Sequence, residues 1–135
     1  MYYPRVIANG SSYCLSVLGN CPLEIASPHS YPRAYRLQDR TGHWHASYRM
    51  TLMLNPILGE YYGVQGTTWR NPPILNKPTM TRRVGGKRLM LYFNTGKLSM
   101  VAWRTGRGVY WVSNTLTDTL SAPQMTAIAA SLRRR

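Results

Sequence analysis

The sequence predicts an α+β domain built on an antiparallel β-sheet, a meander in its C-terminal half, with a C-terminal α-helix packed on one face. Two observations carry this reading. Three strand-like runs, Arg88 to Phe93, Lys97 to Arg104 and Val109 to Asn114, are joined only by Asn94-Thr95-Gly96 and Thr105-Gly106-Arg107-Gly108. Links that short permit only antiparallel neighbours, because a parallel crossover needs roughly a dozen residues or more. The helix is marked by Ser121 as its cap and Gln124 three residues later, a capping box, with Leu120 placed to staple against Met125. Met125, Ile128, Ala129 and Leu132 then recur at helical spacing, so one stripe can lie on the sheet.

In chain order, the first thirty or so residues read as irregular, interrupted by Pro4, Gly10, Gly19, Pro22, Pro28 and Pro32, with only Arg5 to Ala8 strand-like. Ala34 to Gln38 and His43 to Asn55 form a predicted hairpin across the turn Asp39-Arg40-Thr41-Gly42. Tyr48, Met50, Leu52 and Leu54 share one face of the second run, Arg49, Thr51 and Asn55 the other, and Met53 breaks the alternation. Tyr61 to Trp69 is a further extended candidate whose Gly63 and Gly66 suggest a bulge or a close backbone approach, ended by Asn71-Pro72-Pro73. Asn76 to Gly86 reads as an exposed basic loop, and Arg133-Arg134-Arg135 as a frayed tail. With no repeat, linker or low-complexity stretch, residues 1–135 read as a single domain.

Seventeen Lys and Arg stand against four acidic residues, Glu24, Asp39, Glu60 and Asp118, a formal charge of +13. Few of these cations can find an internal partner, so most face water or an anion, and the balance favours polyanionic partners without choosing among nucleic acid, anionic lipid and phosphorylated glycan. No run approaches the roughly 18 consecutive apolar residues that a membrane span needs, and the first residues carry no export pattern. Cys14 and Cys21 flank a segment rich in Ser, Gly and Asn, where a short disulfide loop fits; such a pair belongs in an oxidising compartment more readily than in cytosol.

Catalytic and metal signatures are weak. Four scattered acids leave few carboxylate pairs, and no nucleophile elbow is present. His43 and His45 flank Trp44 at a spacing that metal sites use, but further ligands are missing, and turn-adjacent exposure is the preferred reading. Gly63-Val64-Gln65-Gly66 and Gly85-Gly86-Lys87 lack the strand, loop, Lys and helix order of a phosphate loop. No metal, cofactor or catalytic residue is assigned. The anion-binding candidates are Arg82, Arg83, Lys87 and Arg88, the densest internal cluster, together with Arg104 and Arg107; a solvated loop explains either group equally well. Aromatic and polar surface candidates are Tyr61, Tyr62, Gln65, Trp69, Trp111 and Asn114, with about half of the aromatics required for the core.

The segments Glu60 to Trp69, Asn71 to Leu75, Val101 to Thr105, Tyr110 to Leu116 and Gln124 to Leu132 together resemble a C-terminal extracytoplasmic region of actinobacterial LytR-CpsA-Psr-type cell-envelope proteins. That resemblance covers about two thirds of the chain, strongest from Gly59 onward. It implies an accessory module of a longer, membrane-anchored protein acting outside the cell, whose separate catalytic domain transfers anionic glycopolymers from a polyprenyl-phosphate carrier to peptidoglycan. The Arg and Asp cluster of that catalytic domain has no counterpart here, where only two Asp occur. The leading expectation is an extracytoplasmic binding domain for an anionic cell-wall polymer or for a partner domain of the same protein. Its competitors are a basic nucleic-acid-binding domain and a small hydrolase or transferase using Arg104, Asn114 and an acid such as Glu60 near the Gly63 to Trp69 segment.

Overall fold

The computed structural model describes residues 2–3, 33–55 and 60–134. The strand expected at Arg5 to Ala8 and the Cys14–Cys21 pair lie outside the described residues. The strands are β1 (Tyr2–Tyr3), β2 (Arg33–Gln38), β3 (Trp44–Asn55), β4 (Glu60–Thr67), β5 (Met80–Val84), β6 (Lys87–Asn94), β7 (Lys97–Arg104), β8 (Val109–Ser113) and β9 (Arg133–Arg134). A short 3₁₀ turn covers Pro73–Leu75, and helix α1 spans Ala122–Ser131. Seven strands form one sheet in the order β2-β3-β4-β8-β7-β6-β5, every neighbour antiparallel. The architecture is therefore two meanders, β2–β4 and β5–β8, zipped together through β4 and β8. The domain is mostly β, with a single helix among the described residues.

Local chemistry explains the elements that sequence pattern anticipates. In the turn after β2, one carboxylate oxygen of Asp39 accepts from the Thr41 amide (2.9 Å), the Thr41 hydroxyl (2.6 Å) and the His43 amide (3.0 Å). Gly42 supplies the left-handed backbone at φ 86°. Tyr48, Met50 and Leu52 of β3 are buried while Arg49 is exposed, the alternation of a strand with one covered face. At α1 the Ser121 hydroxyl accepts from the Gln124 amide and the Gln124 side chain accepts from the Ser121 amide, completing the capping box.

Three segments depart from the sequence reading. The basic stretch Asn76 to Gly86 is not all loop, because Met80–Val84 pairs with β6 across a Gly85-Gly86 turn at φ 57° and 79°. An exposed edge strand carries no buried alternation, so nothing in Met80-Thr81-Arg82-Arg83 announces it. The extended run ends at Thr67 instead of Trp69: the Thr67 hydroxyl accepts from the Trp69 amide (3.1 Å) and turns the chain. Arg133 and Arg134 do not fray; they pair with Tyr3 and Tyr2. The Tyr2 backbone is held in turn by the Tyr48 hydroxyl, which accepts from its amide (2.9 Å) and donates to its carbonyl (3.0 Å).

The sheet is covered on both sides. On one face α1 places Met125, Ile128, Ala129 and Leu132 against Leu89, Leu91, Leu98, Val101, Trp103 and Val112, joined by Met50, Leu52, Tyr62 and Val64 from the first meander. On the other, the β4 to β5 crossover lays Leu75 over Met90, Met100, Ala102, Val109 and Trp111. Full burial of each large side chain contributes about 1.5–3 kcal/mol, so these two clusters carry most of the favourable free energy of folding.

Gly66 shows how close the packing is on the helix face. A methyl group there would fall 2.6 Å from Cδ1 of Tyr110 and against the Tyr48 ring. Gly66→Ala is expected to cost about 1–3 kcal/mol or more by overpacking, read as a lowered denaturant midpoint with an unchanged slope.

Candidate anion-binding site

The period of two along a strand redistributes the basic cluster that is contiguous in sequence. Arg83 of β5 lies directly opposite Arg88 of β6, on the face covered by the crossover. The β6–β7 register, with Met90 opposite Ala102, places Arg104 beside Arg88 on the same face. Arg88 and Arg104 line one open hollow of about 430 Å³ with Pro78, Thr81 and Met90. Arg82 is paired with Leu89, a core residue of the helix face, and so leaves this row. Arg107 stands exposed on the loop between β7 and β8.

Two of the candidate cations have internal duties. The Lys87 ammonium donates to the carbonyls of Ala130 (2.8 Å) and Leu132 (2.9 Å) at the end of α1 and sits 5.4 Å from the Trp103 ring centroid. Burial, and then the charge of Arg133, push its pKa below the ordinary lysine value. Lys87 is thus a helix clasp, which its place in an arginine-rich sequence run conceals. Arg104 donates from Nε to the Arg70 carbonyl (3.1 Å) and from Nη1 to the Met90 sulfur (3.2 Å). It ties the crossover to the sheet while remaining exposed. Tyr92 makes a parallel tie, donating to the Leu75 carbonyl (2.6 Å), and burial raises the pKa of its phenol despite the opposing charge of Arg104.

The surface aromatic and polar candidates divide as well. Tyr62 and Trp111 are 1% and 3% exposed, core residues in place of surface platforms. The Trp111 indole N–H has no hydrogen-bond partner among the described residues. Trp69 is half-buried and stacks on His45, with centroids 5.5 Å apart and planes 11° from parallel. Asn114 is saturated: its amide donates to the carbonyls of Leu98 and Leu120 (both 2.9 Å), and its oxygen accepts from the amides of Thr115 (2.8 Å) and Leu120 (3.0 Å). It staples the segment leading into α1 onto β7. Tyr61 borders a second cleft with Glu60 and Asn114, and Arg104 is not among the residues lining it. The trio Arg104, Asn114 and Glu60 therefore does not share a site.

Among the described residues no cluster of three or more His, Cys, Asp or Glu that could hold a metal ion occurs. His45 instead contacts the second Asp39 oxygen at 2.8 Å. Among the described residues no Lys or Arg contacts a carboxylate, so none there neutralises Arg83, Arg88 or Arg104. No described helix is long and apolar enough to cross a membrane. Comparisons of the chain with protein-family models, curated proteins and solved structures gave no match.

Two outcomes follow. Asn114→Ala strands several backbone groups at once and is expected to cost about 2–3 kcal/mol, measurable by chemical denaturation. Hydrogen bonds, first from the Thr41 hydroxyl and then from His45, hold the Asp39 carboxyl well below the usual carboxylate range. Because the folded pKa is depressed, the stability that Asp39 contributes is complete above its unfolded value near ~4 and is lost as pH falls through the folded one. An NMR titration should show the Thr41 and His43 amides shifting only in that acid range.

Proposed function

We propose that this chain is an extracytoplasmic accessory domain of a LytR-CpsA-Psr-like cell-envelope protein, and that the row Arg83, Arg88, Arg104 binds a phosphate-bearing anionic glycopolymer. The observation that carries the reading is the juxtaposition of like charges on three adjacent strands with no carboxylate to offset them among the described residues. Like charges directly opposite in a sheet cost stability, by about 0.2–1 kcal/mol per pair. A bound anion reverses that cost. Guanidinium forks match phosphate oxygens two at a time, and strand spacing of about 4.8 Å sets successive arginines at a pitch that one polymer can follow.

The overall charge of +13 and the family resemblance support the same partner class. Nucleic acid is less favoured at the arginine row, because the Trp111 and Tyr62 rings are buried in the two cores and the exposed Tyr35 and Trp44 lie on β2 and β3, at the other border of the sheet.

Binding of poly(glycerol phosphate), hyaluronate and oligo-dT to the protein, measured by calorimetry across a salt series, tests this. Saturable binding of the phosphate polymer is expected, falling steeply with salt, and weakened about 10–100-fold in the double variant Arg83→Ala/Arg88→Ala. Absence of binding at low salt, an affinity the double variant leaves intact, or tighter capture of oligo-dT than of the polymer would overturn the proposal.

A further inference from the structure

A second opening lies on the same sheet face, at the far end of the first meander. It is a cleft of about 560 Å³ between β3, β4, β8 and the segment after β8. Its floor is one cross-strand row, Thr51 of β3, Gly63 of β4 and Ser113 of β8. Gly63 is buried in that floor and gives the row no side chain of its own: a Cβ there would sit 3.0 Å from the Ser113 hydroxyl and 3.7 Å from the Gln65 amide nitrogen, crowding both. Around this point stand the hydroxyls of Thr51 and Ser113, the Gln65 amide, the Arg49 guanidinium and the ring of Tyr61.

Glu60 faces the same cleft in a fixed pose. The Thr119 hydroxyl donates to one of its oxygens (2.5 Å), and Thr119 is itself held by Thr115, whose hydroxyl accepts from the Thr119 amide (2.9 Å) and donates to its hydroxyl (2.9 Å). The carboxylate is thereby oriented before any ligand arrives, so less ordering is needed on binding.

We infer that this cleft is a binding site for an uncharged saccharide unit. One guanidinium and one carboxylate oppose each other in charge, unlike the arginine row, so a phosphate has no excess of positive charge to meet here. The remaining groups are hydroxyl, amide and carboxylate donors and acceptors beside the ring of Tyr61 and the exposed side chain of Leu116. That set suits a polyhydroxylated ring, which presents several hydroxyls at once and an apolar face to stack. The site shares no lining residue with the hollow at Arg88 and Arg104, so it does not depend on polyanion binding there.

A ¹H–¹⁵N NMR titration with chitotetraose and maltotetraose at high salt, where binding over the arginine row is screened, tests the inference. At least one of the two should shift the amides of Tyr61, Gly63 and Ser113 saturably. Arg49→Ala, at an exposed position, and Gly63→Ala, which fills the floor, should each weaken that binding about tenfold, while Arg83→Ala/Arg88→Ala leaves it unchanged. Unperturbed spectra with both sugars, or shifts that survive Arg49→Ala and a Gly63→Ala protein with native-like spectra, would sink the saccharide site and leave the polyanion reading standing.

Discussion

The pairing of β4 with β8 is the contact on which the remaining structure rests. Each meander alone is a small ribbon with little to bury against. Val64 opposite Val112 and Gly66 opposite Tyr110 turn two ribbons into a seven-stranded sheet wide enough for a helix on one side and a crossover on the other. Because β4 meets the last strand of the second meander, the chain leaving β4 must travel across the sheet to begin β5. That journey covers the second face and brings Leu75 onto Trp111 and its neighbours.

The tethers of this crossover are polar and few. Arg104 reaches the Arg70 carbonyl and Tyr92 the Leu75 carbonyl, and each also belongs to the sheet face that it helps cover. Arg104 is consequently held at two points of its guanidinium, Nε on the crossover carbonyl and Nη1 on the Met90 sulfur, while the residue stays exposed beside Arg88. An arginine held in this way has already given up side-chain freedom in the free protein.

Much of the local structure was legible in sequence because its causes are local. Short glycine links specify the hairpins β6–β7 and β7–β8, the alternation in β3 gives its buried face, and Ser121 with Gln124 opens α1. What is not legible is non-local. No pattern within β4 or β8 announces that they pair, and no pattern within Met80–Val84 marks it as an edge strand, since its exposed side chains answer to solvent. The site suffers from the same cause. Arg82, Arg83, Lys87 and Arg88 are near neighbours in sequence, yet strand alternation separates them between two faces, and only the β6–β7 register brings in Arg104. Tyr62, Trp111 and Asn114 have the composition of a surface patch but are absorbed by the core and by a backbone staple, and Arg49, Thr51, Gly63 and Ser113 carry no signal as a group because three strands contribute them.

The two borders of the sheet are exposed strands, β2 carrying Arg33 and Arg36 and β5 carrying Arg82 and Arg83. An open strand border offers unpaired backbone to any similar strand, and a cationic fringe is one of the ways proteins discourage such self-association. The arginines on both borders therefore also act as charged edges, which disfavour pairing of copies border to border.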